Sequence, residues 1–402
     1  MVHDPSFHQR LHQAQRLAAE FPRPQAAAQL HSDRLQQHIR EEIARQGGAI
    51  PFQQFMQLAL YAPASGYYSA GSRKLGAAGD FITAPETSAL FSRTLARGIA
   101  PALSRLPEKQ LFEIGAGSGV MARDMLAELA AMECLPDAYR ILELSADLIE
   151  RQQQCLADPP VPVAWLESLP EKFSGIVLAN ELLDAMPVHR VVWQGGRLEE
   201  CYVGWESDAF VWQTGPLTDK RLQSRFDDIC ERVGELPEGY LTEINLLAED
   251  WLHSIGKSLQ QGLVLLIDYG YPRHEYYHPQ RSQGSLMCHY RHRAHDDPFA
   301  FPGLQDITAH VDFTAIADAA LASGMKVTGY TTQAHFLLGS GLTELAAACD
   351  PADAGLQLDI ANQVRRLTLP QGMGELFKVM VLTKDLDVSL PGLMLCDLRG
   401  KL

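Results

Sequence analysis

L-F-E-I-G-A-G-S-G, residues Leu111–Gly119, is the stretch that decides the fold. Leu111, Phe112 and Ile114 make a short apolar run suited to a buried parallel strand, and Gly115, Gly117 and Gly119 follow at alternate positions. Behind them, Val120–Leu129 carries apolar residues at helical spacing. Strand, glycine turn and helix form the nucleotide-binding corner of a doubly wound sheet. There the backbone must adopt unusual dihedrals and approach a ligand with no Cβ in the way.

The spacing is G-x-G-x-G, with Glu113 two residues before the first glycine. The dinucleotide fingerprint is G-x-G-x-x-G, and it seats a pyrophosphate on the helix N-terminus. A carboxylate at Glu113 would repel that pyrophosphate, yet it can hold the ammonium of an amino-acid-bearing cofactor. This points to S-adenosyl-L-methionine (SAM) over NAD. A nicotinamide site and a glycine turn with no ligand are the competing readings. Tyr139–Glu143 reads as the second strand, and Glu143 at its end lies about where a ribose hydroxyl pair requires an acid, roughly 20 residues past the glycines.

Composition narrows the field. With 402 residues, 46% of them hydrophobic, the chain can bury a large core. Its net charge of −15 disfavours a nucleic acid partner, which would call for a basic face. Seven cysteines without a C-x-x-C pair suggest a reducing compartment and no zinc site. No run of 18 apolar residues appears, so no membrane insertion is expected. The N-terminus has neither a signal pattern nor an acid-poor transit composition, and a cytoplasmic location is expected.

Taken in order, residues 1–47 read as helical, with Leu30–Ala44 an exposed helix. A second helix starts near Ile50-Pro51-Phe52. Gly-, Pro- and Tyr-rich sequence follows, in Gly66-Tyr67-Tyr68-Ser69 and Gly79–Ser88, and suggests a constrained loop. Val161–Trp165 reads as a third strand and Gly175–Asn180 as a fourth, buried on both faces. The fourth strand delivers Asn180, Glu181 and Asp184 to its carboxyl end, where open α/β sheets bind ligands. A spacing of three places Glu181 and Asp184 on one side of a helical turn. Such a pair can cap a helix or grip a guanidinium.

His189–Trp212, with Gly195-Gly196 and Ser207-Asp208 at its turns, reads as an antiparallel meander inserted before a helical stretch. Gly262–Asp268 is a fifth parallel strand. Tyr269–Gln305 has few helix or strand signals and reads as a long loop, a substrate-facing lid or a docking surface. Within it, His289, His292 and His295 have metal-like spacing but lack the acids or cysteines a zinc site normally adds. Asp312 is a candidate cap for a helix at Phe313–Ser323, and two further strands, near Lys326–Tyr330 and Phe377–Leu382, close the sheet.

The ordered motifs G-Y-Y-S (Gly66–Ser69), G-D-F-I-T-A-P-E-T-S (Gly79–Ser88), E-I-G-A-G-S-G, Y-R-I-L-E-L-S (Tyr139–Ser145), A-N-E-L-L-D-A-M-P-V (Ala179–Val188), I-D-Y-G-Y (Ile267–Tyr271) and D-I-T-A-H-V-D-F (Asp306–Phe313) resemble the MidA family of class I SAM-dependent methyltransferases. The family's mitochondrial member is a respiratory complex I assembly factor that methylates an arginine. The resemblance runs from about residue 47 to 383; the segment after Lys384 departs from it. It implies an α/β fold: a seven-stranded Rossmann-like sheet with a helical N-terminal extension and an inserted α+β subdomain.

The corresponding division is an extension and cofactor-covering loop (1–100), a SAM-binding core (101–188), a substrate-side insertion (189–260), the second half of the core with its lid (261–384) and a tail (385–402). Glu113, Gly115, Gly117 and Gly119 would hold the methionine end of SAM, Glu143 the ribose, and Glu167 or Ser168 the adenine. Asp80 would help close the cofactor site. Asn180, Glu181 and Asp184 would line the reacting centre, with no metal. A protein substrate is expected, and a homodimer stays open as a partner. Methylation of a small molecule, or a non-catalytic SAM-binding assembly protein, are the alternatives.

Overall fold

The computed structural model describes residues 22–69, 83–348, 350 and 352–402. The chain divides into two compact units, each assembled from separate segments.

One unit comprises Ile82–Asp184, Leu247–Tyr276 and His310–Leu402. Its sheet is built from β1 (Gln110–Ile114), β2 (Ala138–Leu142), β3 (Val163–Leu166), β4 (Phe173–Asn180), β5 (Leu259–Tyr271), β6 (Lys326–Thr332) and β7 (Phe377–Lys384). Their order across the sheet is β3-β2-β1-β4-β5-β7-β6, and a two-residue strand, Val311–Asp312, adds to the end of β5. β1 to β5 run parallel, whereas β7 is antiparallel to both β5 and β6. The near-continuous burial of β4 and β5 is what a strand covered on both faces requires. On one face, Leu111, Ile176, Leu265 and Val381 pack with Leu95 of helix Ala89–Leu103 and Met125 of helix Val120–Ala131. Those two helices are also tied by Glu128, 2% exposed, which accepts from Arg93 Nε at 2.7 Å and Arg97 Nε at 2.6 Å. Asp312 caps helix Phe313–Ala322 as expected, accepting from the N–H groups of Thr314 and Ala315.

The segment that the motifs could not place returns along the sheet edge. Leu398 N donates to Tyr330 O of β6 at 2.7 Å, and a Cβ added at Gly329 would stand 2.3 Å from Leu393 Cδ1. An edge strand with open N–H and C=O groups is a template for unwanted pairing, and this segment covers it.

The other unit comprises Met1–Phe81, Ala185–Leu246 and Tyr277–Ala309. The expected meander is present: His189–Gln194, Arg197–Glu206 and Ala209–Gly215 pair in succession, flanked by Ala49–Pro51 and Tyr240–Ile244. Both two-residue turns have positive φ, at Gly195-Gly196 and at Ser207-Asp208, which suits the twist of the flanking strands. Helix Ala26–Arg45 buries one stripe, Ser32, Leu35, Ile39 and Ile43, and leaves the remainder exposed or half-buried.

The stretch expected to be a long loop is ordered structure. Met287–Tyr290 and Arg293–His295 form a hairpin joined to Asp306–Thr308. Its tight turn is Arg291-His292, both at positive φ, residue types that do not advertise a turn in sequence. Cys288 faces His295 across the hairpin, so His289 lies on the opposite side of the pleat from His295, and His292 sits in the turn. The spacing of three therefore does not converge. Among the described residues, no group of three His, Cys, Asp or Glu could hold a metal ion, and no helix is long and apolar enough to cross a membrane.

Candidate active site

The carboxyl ends of β1 to β5 bring the candidate residues to one edge of the sheet. Gly115, Gly117 and Gly119 have φ of +70°, +55° and +84°, all in the left-handed region that costs a side-chain-bearing residue about 1–2 kcal/mol. Gly115 N donates to Leu142 O at 3.1 Å, tying the turn to the end of β2. Gly119 is the N-cap of helix Val120–Ala131. Ser118 Oγ donates to Glu86 of the one-turn helix Ala84–Thr87, so the T-A-P-E-T-S motif abuts the glycine turn.

Glu113 lies beneath that turn, 2% exposed. Its Oε2 accepts from Tyr139 Oη at 2.6 Å. Burial lifts its carboxyl to about 7, against the pull of the Tyr139 bond and with the charge of Glu143 adding to the rise.

Glu143 is held by three hydrogen bonds. Its Oε1 accepts from Leu144 N at 2.9 Å and Ser145 N at 3.0 Å, and its Oε2 from Gln152 Nε2 at 3.1 Å. Burial raises its pKa, and these three bonds oppose the rise. The next side chain, Leu144, is 82% exposed, an apolar surface beside the acid that a flat ligand ring could cover. Glu167 and Ser168 are exposed at the carboxyl end of β3. The left-handed glycine turn, the fixed acid and the bare leucine together form a cradle that suits SAM.

The β4 end differs from expectation. Residues 181–188 contain no helix, so Glu181 and Asp184 are not brought together by helical spacing. Glu181 adopts φ +50°, a strained position for a residue with a side chain, and its N–H donates to Ile267 O at 2.8 Å. Its Oε1 accepts from Asn180 Nδ2 at 3.2 Å and Ala84 N at 3.3 Å. Among the described residues Asn180 Oδ1 is buried with no hydrogen-bond partner, and Asp184 is 3% exposed.

The turn is set by a residue the motif reading did not assign to the site, Asp268 on β5. Its Oδ2 accepts from Leu183 N at 2.9 Å and Asp184 N at 3.3 Å, and its Oδ1 from Tyr269 N at 2.9 Å. Taking those N–H groups replaces the carbonyl partners a helix would have supplied. Burial, then the charge of Glu181, pushes Asp268 up to about 8, despite its backbone bonds. An acid inside an otherwise apolar strand was the available signal, because a buried charge needs a reason. Gln152 was missed too, with nothing in the run R-Q-Q-Q-C to single it out. Asp80 lies outside the described residues.

A family model described as "Putative S-adenosyl-L-methionine-dependent methyltransferase" matches residues 94–331. The protein arginine methyltransferase NDUFAF7 homolog, mitochondrial, of Caenorhabditis elegans is 28% identical over 352 residues, 79% of each chain. The human mitochondrial protein arginine methyltransferase NDUFAF7 is 26% identical over 381 residues, 86% of this chain and 82% of that one. A crystal structure from Burkholderia thailandensis bound to S-adenosyl-homocysteine is 43% identical, with a TM-score of 0.91, covering 95% of this chain and 100% of the other.

Proposed function

The chain belongs to this family of SAM-dependent methyltransferases, and from that premise we propose that it methylates a guanidinium nitrogen of an arginine in a protein. The methyl donor is SAM, which supplies an electrophilic methyl on a sulfonium and leaves as S-adenosyl-homocysteine.

The observation that carries the choice of acceptor is the set of carboxylates at the ends of β4 and β5. Glu181 and Asp184 stand on a turn pinned by Asp268, which burial first and the Glu181 charge second keep protonated up to about 8. A cation belongs beside such a set. The arginine-methylating relatives support the same acceptor.

The guanidinium pKa is above about 12, so the attacking nitrogen must be oriented and lose a proton around the transfer. Glu181 and Asp184 accept N–H bonds from the guanidinium and turn one nitrogen toward the methyl. The orphaned Asn180 Oδ1 accepts a further one. Held in line, the nitrogen gains much of its rate from positioning. Its proton passes to the Glu181 carboxylate as the C–N bond forms. Glu113 with the glycine turn receives the methionine end, Glu143 the ribose, and Glu167 or Ser168 the adenine. The family resemblance points to a respiratory complex I subunit as the acceptor.

The test is transfer of labelled methyl from SAM into a lysate of cells lacking this protein, with protein and low-mass fractions counted separately. Wild type should label a protein band at arginine, and Asp184→Ala should not. Label in the low-mass fraction would replace the acceptor by a small molecule. SAM binding with no label in either fraction would leave an assembly module without catalysis.

A further inference from the structure

Three successive strand ends of the cofactor cradle meet on one side chain outside the motifs. Gln152 is the one buried residue of helix Ala146–Cys155. Its Nε2 donates to Gly117 O at 2.9 Å and to Glu143 Oε2 at 3.1 Å, and its Oε1 accepts from Trp165 Nε1 at 2.9 Å. The glycine turn after β1, the acid after β2 and the indole on β3 are thus joined by one amide. The bonding admits a single orientation: with oxygen and nitrogen exchanged, the amide oxygen would face a carbonyl and a carboxylate. The last glycine makes the approach feasible, since a Cβ at Gly119 would stand 3.2 Å from Gln152 Cα and 3.3 Å from its Cγ.

Without Gln152, Glu143 keeps two backbone N–H bonds to one oxygen, while its other oxygen loses the contact that sets the plane of the carboxylate. We propose that Gln152 is a positioning residue for the methyl donor. It orients the Glu143 carboxylate toward the ribose diol. A preorganised acceptor spares the ligand the cost of ordering it on binding. The inference rests on the reading that Glu143 takes the ribose.

Titration calorimetry with S-adenosyl-homocysteine tests it in a double-mutant cycle of Gln152→Met, Glu143→Ala and the combination. Methionine keeps the length and removes the three polar contacts. Glu143→Ala should weaken binding roughly 10- to 100-fold, in line with loss of a charged hydrogen bond. Gln152→Met should weaken it about 10-fold in the wild-type background, but by no more than about twofold in the Glu143→Ala background. A merely structural role would give losses that multiply, and that result overturns the inference while leaving the ribose reading intact. Unchanged affinity in Glu143→Ala would sink the ribose reading and this inference together. Should Gln152→Met fold poorly, Gln152→Glu keeps the shape and sets a second carboxylate against Glu143. It should weaken binding in the wild-type background, and much less beside Glu143→Ala.

Discussion

Replacing Asp268 by asparagine should change how the stability of the ligand-free protein responds to pH. The Asp268 carboxyl rises from an ordinary 3.8 to about 8, because burial and the neighbouring Glu181 charge disfavour its ionised form. Between those values the folded chain binds a proton that the unfolded chain does not. The stabilisation is fully present below about pH 4 and drains away as pH climbs through 8. Four units at about 1.4 kcal/mol each make the whole effect on the order of 5 kcal/mol. The introduced amide cannot titrate, so this slope disappears in Asp268→Asn. Its carbonyl oxygen can keep the Leu183 and Asp184 N–H groups, while its NH2 group faces the Tyr269 N–H and forfeits that bond, at about 1–3 kcal/mol. The variant should therefore melt close to wild type at pH 5, where about 1.7 kcal/mol of the linkage is already spent, and clearly above it at pH 8.5. Calorimetric melts at pH 5, 6.5 and 8.5 check this. Glu113, lifted to about 7, tilts both proteins alike, so the difference between them is the quantity to read. A gap that stays constant across the three pH values would refute the reasoning.

The left-handed Glu181 should show a trade between stability and activity. Glu181→Gly relieves a strain of about 1 kcal/mol or more, so the melting temperature should hold or rise while labelled-methyl transfer is abolished; retained transfer would remove Glu181 from the chemistry. Gly119→Ala adds a Cβ at φ +84° against Gln152, and calorimetry should find S-adenosyl-homocysteine bound at least 10-fold more weakly. An unchanged affinity would show that the turn yields without cost. Deleting residues 385–402 uncovers the β6 edge, and light scattering at micromolar concentration should detect association that the full chain lacks. A monodisperse truncated protein would count against the protective role of that segment.

The cofactor corner was legible because its chemistry is local. Three alternating glycines and a strand-ending acid lie within one strand–turn–helix and its neighbour, and each has a backbone reason to be where it is. The meander was legible for a similar reason, since Gly195-Gly196 and Ser207-Asp208 mark their own turns. The acceptor turn was only half visible. Spacing suggested a helix from Glu181, but Asp268, far along the chain, takes the N–H groups that a helix would have used. Long-range capture of backbone donors leaves no periodic trace. Gln152 is hidden more deeply, as the first of three glutamines, distinguished only by burial and by partners around the ends of three different strands. The Arg291-His292 hairpin was lost because neither residue type signals a left-handed turn.

The order of strands in the sheet also bears on how the chain is made. β7 lies between β5 and β6, yet it is translated after both. While a ribosome is still elongating toward residue 377, β5 has no neighbour on that side and β6 has nothing to pair with. The sheet can then close only by threading a late strand into a waiting gap, and the long unpaired edge of β5 is open to the wrong partner until it does. A ribosome that stalls, or a message that stops, after Ser168 and before Phe377 therefore yields a chain with the cofactor-cradle residues in place and an unfinished sheet, a product for chaperones and proteases to clear.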